Sequence, residues 1–268
     1  WRKSFMRDFR FSVPEYGYSP SPLVRGDVVY VHVGGRNGDS IVALNKETGE
    51  VLWKALSDPP GYASPMWVPG SPERGPDQLV VFTEHALVSL DPRDGGLNWR
   101  YPWTTEFEQN VAQPVLQGDV LVFSTLSGAV GLRLNRTDGR ASFREEWQND
   151  NLILHFSCAV GHKGYLYGQH GRGRVLRCIE AASGKVAWSA SIRARQRAGI
   201  VLADGKLLVY TDTGELVVAE ASPDGYGELA RYRIAGRTWV PPVLAEDRLY
   251  LRDEDSLQCV ELPKPERD

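Results

Sequence analysis

One turn pattern recurs along this chain at a nearly constant interval. The segments Asn45-Lys-Glu-Thr-Gly49, Asp91-Pro-Arg-Asp-Gly95, Asn135-Arg-Thr-Asp-Gly139, Glu180-Ala-Ala-Ser-Gly184 and Ala221-Ser-Pro-Asp-Gly225 are spaced 46, 44, 45 and 41 residues apart, Gly to Gly. Four positions after each Gly stands a large apolar residue: Trp53, Trp99, Phe143, Trp188 and Leu229. Six positions before it stand Ala43, Ser89, Arg133, Cys178 and Ala219, mostly small. A period of this length marks a stack of supersecondary units, none able to bury its apolar surface alone.

The residues of one unit read as four strands. A run such as 40–44 alternates small and large apolar residues and ends at Asn or Asp, whose side chain can accept from the backbone amides of the coming turn. The Gly then takes positive φ without a Cβ clash, and Val51-Leu-Trp53 starts the return strand. Upstream lies an apolar strand (Val28–Val31, Leu79–Phe82, Val120–Phe123, Tyr165–Tyr167, Leu207–Tyr210, Leu249–Leu251), and before it a shorter one led by Ser21, Ser64, Gln113, Ser157, Gly199 or Pro241. Gly or Pro interrupts nearly every window long enough for an amphipathic helix, which excludes a helical solenoid. The expected fold is therefore all-β: a β-propeller of four-stranded blades in a single domain, with repeats at about 14–57, 60–104, 110–148, 152–193, 196–234 and 238–262. The sixth copy ends without its Trp strand, while Trp1 to Phe5 reads as an orphan Trp strand. Such a strand either closes the last blade by pairing near Leu257–Val260 or belongs to an eight-bladed parent, and the second is the expectation.

Composition narrows the function. A hydrophobic content of 42% against 24% charged residues suits a globular core. Lys and Arg total 31 against 34 Asp and Glu, so the net charge of −3 gives no basic footprint for nucleic acid. Apolar runs such as 79–82 are far too short to cross a bilayer as a helix. Cys158, Cys178 and Cys259 are too scattered for a disulfide framework. Cys178 and Cys259 share the small column and read as buried hydrophobes.

The pattern small-Leu-Asn/Asp-x-x-Thr/Asp-Gly-x-x-x-Trp, as in 43–53, resembles the repeat of the PQQ-like (pyrroloquinoline-quinone repeat) β-propellers. The stretches 16–24 and 61–65 are similar to a BamB-like, bacterial envelope subset of that family. The resemblance covers the whole chain. It implies a periplasmic or secreted location and one of two functions: a quinoprotein alcohol or sugar dehydrogenase, or a non-catalytic binding or scaffold module. The dehydrogenases of the family use a Trp floor under the quinone, an adjacent Cys-Cys disulfide, Glu and Asn ligands to calcium, and an Asp base. No adjacent cysteines occur here and no such set maps onto the chain. The expectation is a non-enzymatic module with neither quinone nor calcium.

Other chemistry finds little support. His155, Cys158 and His162 superficially offer zinc ligands, but strand geometry would turn 155 and 158 to opposite faces. The glycine-rich 168–174 lies between strands and opens no helix, so a hairpin loop is expected instead of a phosphate cradle. Asp253-Glu-Asp255 reads as a solvated turn and Arg193, Arg195 and Arg197 as a stripe on one strand face. Trp67, Trp103, Trp147 and Trp239 stand outside the Trp column and are free to serve recognition. In a propeller the residues leading each innermost strand gather at the channel mouth. Those leaders are Tyr18, Ser19, Tyr62, Ser64, Asn110, Gln113, His155, Ser157, Arg197 and Trp239, a set suited to a protein, peptide or polar small ligand.

Overall fold

The computed structural model describes residues 1–11, 13–106, 109–171, 174–195 and 197–262. Its strands form six antiparallel sheets, the blades of a β-propeller. Blade 1 runs through β1 (Leu23–Arg25), β2 (Val28–His32), β3 (Ile41–Asn45) and β4 (Val51–Ala55). Blade 2 contains β5 (Met66–Val68), β6 (Gln78–Phe82), β7 (Ala86–Leu90) and β8 (Leu97–Pro102). Blade 3 contains β9 (Val115–Gln117), β10 (Val120–Thr125) and the ten-residue pair β11 (Gly128–Thr137) and β12 (Arg140–Asn149). Blade 4 is β13 (Val160–His162), β14 (Tyr165–His170), β15 (Val175–Glu180) and β16 (Val186–Ser191). Blade 5 is β17 (Ala198–Ala203), β18 (Lys206–Thr211), β19 (Glu215–Glu220) and β20 (Glu228–Arg233). The sixth sheet has three strands, β21 (Val243–Ala245), β22 (Arg248–Arg252) and β23 (Leu257–Glu261). Among the described residues the only helix is a single turn, α1 (Phe5–Asp8). The chain divides into two compact units, one of Trp1–Ser127 with Leu132–Glu146, the other of Gly128–Gly131 with the residues from Trp147 on.

The turn chemistry is as the sequence requires in the first copies. Asn45 Oδ1 accepts from the amides of Glu47 and Thr48, both at 2.9 Å, and Asp91 Oδ1 accepts from Arg93 N at 2.9 Å. Gly49, Gly95, Gly139 and Gly184 all have φ between 67° and 79°. Gly49, Gly95 and Gly184 meet a second constraint, because an indole lies against each. A Cβ on Gly49 would sit 2.5 Å from the ring of Trp1, one on Gly95 2.6 Å from Trp53, and one on Gly184 2.6 Å from Trp147. The same indoles donate their N–H to the carbonyl three residues before that Gly: Trp1 to Lys46 at 2.8 Å, Trp53 to Pro92 at 3.0 Å and Trp147 to Ala181 at 2.9 Å. Trp188 donates likewise to Ser222 O at 2.8 Å.

Two columns of the repeat differ from the sequence alignment. Equivalent positions are marked by a backbone bond from Lys46, Leu134, Ala181, Ala221 and Leu262 to Asp27, Asp119, Gly164, Gly205 and Asp247 respectively. The small position is then Ala43, Gly131, Cys178, Val218 and Cys259, not Arg133 or Ala219. In blade 3 the long β11–β12 hairpin moves its turn outward, so Trp147, and not Phe143, contacts the next blade; a Cβ on Gly131 would collide with the Trp147 indole nitrogen. Blade 2 faces that displaced turn, and Trp99 instead donates within its own sheet to Gln78 Oε1 at 2.8 Å and packs edge-on against Phe143 at 5.2 Å. In blade 5 a longer turn lets Glu220 N reach Gly227 O, which shifts the register by one, and Gly225 lacks the positive φ of its counterparts.

The chain ends also depart from expectation. Residues 1–4 are not a strand: Asp8 Oδ2 accepts from Ser4 N at 2.8 Å, and Phe5 turns inward against Phe11 and Tyr18. Trp1 nevertheless keeps the indole contact of the repeat. Cys178 is fully buried, but Cys259 is exposed, because no fourth strand covers β23 among the described residues.

Small residues in the column make room for rings on both sides. Ala43 pairs across to Tyr30 and Trp53, whose centroids are 5.9 Å apart, and Cys178 to Tyr167 and Trp188 at 6.0 Å. Trp99 is 6% exposed, so Trp99→Ala should cost about 3–5 kcal/mol in urea denaturation; a loss below about 1 kcal/mol would show that its ring is not a core element. His32 in β2 is fully buried, and burial pushes its pKa down to about 4 from 6.5, partly countered by Asp58. The unfolded chain therefore takes up the proton first as pH falls. Stability is full above about pH 6.5 and declines by about 3 kcal/mol as the pH approaches 4. That slope should be absent in His32→Leu, measured by denaturation at stepped pH.

Candidate functional site

Every residue anticipated at an inner-strand leader does precede the first strand of its blade. The structure places them in two groups, one in each unit. In the first unit they hold one another and the backbone. The Tyr18 hydroxyl donates to His32 O at 2.9 Å and its ring packs on Phe5 and Phe11; burial raises its pKa. Ser19 Oγ donates to Tyr62 O at 3.1 Å, and Ser64 Oγ accepts from Ser21 N at 2.9 Å. Tyr62 Oη accepts from Tyr16 N at 3.3 Å. Asn110 is fully buried: its Nδ2 donates to Thr83 O at 2.8 Å and Glu84 O at 3.0 Å, while its carbonyl accepts from Tyr62 N at 2.9 Å. Gln113 is half-buried just before β9. Asn110 therefore works as a bracket between blade leaders, not as a ligand contact.

In the second unit the leaders frame an open cavity of about 100 Å³. Its walls include Phe156, Ser157, Arg197, Asp212 and Trp239. Arg197 does not lie on a strand face with Arg193 and Arg195; all three fall in the connection between β16 and β17. Its guanidinium carbon sits 4.1 Å from the Phe156 ring centre and 4.0 Å from that of Trp239. His155 lies beside the same group and, with Ser157 and Arg197, borders a smaller recess. Trp239 is 65% exposed and Phe156 39%.

Three features hold this arrangement, two of them, Gln169 and Thr238, buried. Gln169 in β14 accepts at Oε1 from Ala198 N at 2.6 Å and from Ser157 Oγ at 3.4 Å, tying the Phe156 leader to the Arg197 leader. Gly199 provides clearance, since a Cβ there would stand 2.6 Å from Pro241 Cα. Thr238 Oγ1 donates to Arg252 O at 2.6 Å and accepts from Val240 N at 3.1 Å, fixing the backbone on both sides of Trp239. Burial lowers the pKa of Arg197, and the nearby charge of Asp212 raises it. Phe156, Gln169 and Thr238 stand outside any periodic column, so sequence reasoning passes over them.

Other anticipated chemistry dissolves into structure. Trp67 packs on Tyr30 at 6.1 Å, Trp103 donates to Thr125 Oγ1 at 3.1 Å, and Trp147 is 9% exposed, leaving Trp239 as the exposed member of that set. A cavity of about 380 Å³ lies beside Tyr30, Trp53 and Trp67, and the polar tips of Tyr30 and Trp53 already share Pro92 O. His155 and Cys158 fall in a loop and not on a strand, and among the described residues no three His, Cys, Asp or Glu side chains gather as metal ligands. Asp253 spends its carboxylate on the amides of Gly236, Asp255 and Ser256, which pulls its pKa to about 2. Of the 168–174 segment, expected as a loop, 168–170 belong to β14, and the connection to β15 is confined to 171–174, with residues 172–173 outside the described ones.

A family model described as outer membrane protein assembly factor BamB matches residues 1–177 and 171–262. The chain belongs to this family. No curated protein matches it in sequence. Among solved structures, BamB from Moraxella catarrhalis is similar at 16% identity and a TM-score of 0.66, over 89% of this chain and 70% of that one. Citrobacter koseri AztD is similar at 13% and 0.58, over 90% and 67%. A quinohemoprotein alcohol dehydrogenase, ADHIIG from Pseudomonas putida HK5, is similar at 13% and 0.53, over 84% of this chain and 42% of that one. At these identities the likeness shows the propeller fold. The three cysteines of this BamB-family chain are all free, so the adjacent Cys-Cys disulfide expected of the family's dehydrogenases has no counterpart in it.

The two groups should respond oppositely to truncation. Asn110→Ala leaves carbonyls of buried backbone without their donor and should cost about 1–3 kcal/mol. Trp239→Ala should stay within about 1 kcal/mol of the parent, the scale of an exposed cation–π contact, in the same denaturation assay.

Proposed function

We propose that this chain is a non-catalytic binding or scaffold module of the bacterial cell envelope, periplasmic or secreted, which holds a protein or peptide partner against the Phe156–Arg197–Trp239 surface. The observation that carries this reading is Trp239 itself. A large ring, 65% exposed, is held in place by a buried threonine and an arginine instead of lying loose on the surface. Aromatic and arginine side chains beside a cavity are the residues on which interface energy concentrates. Their order is set before binding, so little rotamer entropy remains to be lost. Membership of a family described as an outer membrane protein assembly factor supports a role in holding other proteins and an envelope location. The module works without resident quinone or calcium, a reading supported by the donor groups at hand.

A photo-reactive phenylalanine analogue placed at Val240, beside the ring, tests the proposal in cells that make the protein. The expected result is a discrete protein adduct whose yield falls at least tenfold with Trp239→Ala while folding is unchanged. An adduct indifferent to Trp239, or alcohol-dependent dye reduction after addition of pyrroloquinoline quinone and calcium, would overturn it.

A further inference from the structure

The half-buried arginines of this protein nearly all have an oxygen to serve. Arg74 pairs with Asp119 at 2.6 Å, Arg133 with Glu146 at 2.5 Å and Arg231 with Glu215 at 2.8 Å, while Arg177 donates to Asn151 O at 2.7 Å. Arg197 is half-buried as well, yet among the described residues no hydrogen bond or ion pair reaches its guanidinium. Two rings lie against it, their centres 4.0 and 4.1 Å from the guanidinium carbon. Rings so close leave the edge of the guanidinium, with its fork of N–H donors, to meet a ligand in the cavity that Arg197 lines. The one acid lining the same cavity, Asp212, accepts from Arg195 N at 2.7 Å.

We propose that the guanidinium of Arg197 receives a carboxylate of the partner, so that the module recognises an acidic peptide segment in which an apolar residue beside the acid packs on Trp239. This rests on the binding role argued above. Three features favour a carboxylate. The fork of an arginine matches the two oxygens of a planar carboxylate, and the flanking rings remove the rotations that would blur that match. The cavity of about 100 Å³ has room for a carboxyl group and its methylene. Arg193 and Arg195, exposed in the same connection, form no ion pair among the described residues and add positive potential along the approach. The exposed indole beside the fork favours a peptide over a free anion, because a lone phosphate would leave Trp239 uncovered.

The test uses the whole chain and nuclear magnetic resonance of the Arg197 Nε–H and Trp239 indole N–H. The probes are acetyl-Ala-Glu-Leu-amide, its Gln counterpart and inorganic phosphate. The expected result is saturable movement of both signals with the Glu peptide, at least tenfold weaker binding of the Gln peptide, and phosphate moving only the arginine signal and more weakly. Arg197→Lys, which keeps the charge but loses the fork, should lower affinity for the Glu peptide about tenfold. Equal binding of the Glu and Gln peptides, tighter binding of phosphate, or no saturable shift with the Glu peptide would overturn the carboxylate assignment. If that happens while the Val240 adduct still depends on Trp239, the binding role stands and only the ligand chemistry is wrong.

Discussion

The contact on which this architecture depends is an indole laid across the turn of the following blade. A buried indole N–H needs an acceptor, and the turn offers a carbonyl that its own hairpin does not use. The acceptor lies three residues before the turn glycine, and the ring then occupies the space that a Cβ on that glycine would fill. Glycine is therefore selected twice, once by backbone geometry and once by the ring above it. The small residue in the third strand of the blade completes the arrangement by leaving room for a tyrosine on one side and the tryptophan on the other. A nearly constant period of 41 to 46 residues suits this contact, because copies such as those carrying Trp53, Trp147 and Trp188 bring the indole to the next copy's turn.

Much of this was legible in the sequence because the same constraint is written several times. The caps at Asn45 and Asp91, the positive-φ glycines of the first four copies and the four-stranded unit of the first five appear where the repeat puts them. Misreadings cluster where a copy changes length. Counting from the turn glycine assumes a fixed hairpin, and the ten-residue strands of blade 3 break that assumption, so Arg133 and Phe143 stood in for Gly131 and Trp147. Blade 5 slips by one for the same kind of reason. The backbone bond between the start of the second strand and the end of the third, present in blades 1 and 3 to 6, is the better ruler, but it has no side-chain signature.

Where the leader residues stand was legible, and what each side chain meets was not. Leader residues can be placed by topology alone, yet whether a polar side chain faces a ligand or its own backbone depends on contacts distant in sequence. Tyr18 and Asn110 turn inward to carbonyls, while Arg197 and Trp239 turn outward. The deciding residue for the second group is Gln169, 29 positions from its main partner Ala198. A buried amide that joins two loops across a strand leaves no pattern to find by periodicity. Rigid strands carrying short leaders nevertheless suit recognition, because the leaders can vary while the sheets keep their position.

Blade 2 differs from the others in how it handles its tryptophan. Gln78 Oε1 takes the Trp99 N–H and also the Ser89 hydroxyl, so the polar demand of the ring is met inside the sheet. The other indoles in this role rely on a neighbour's turn being in the right place. A blade that satisfies itself can be followed by a blade of altered geometry, which is what blade 3 is. In the duplication and divergence of a repeat array, such a unit acts as an adaptor: lengthening of the next hairpin is tolerated behind it, whereas the same change behind Trp147 would strand a buried donor.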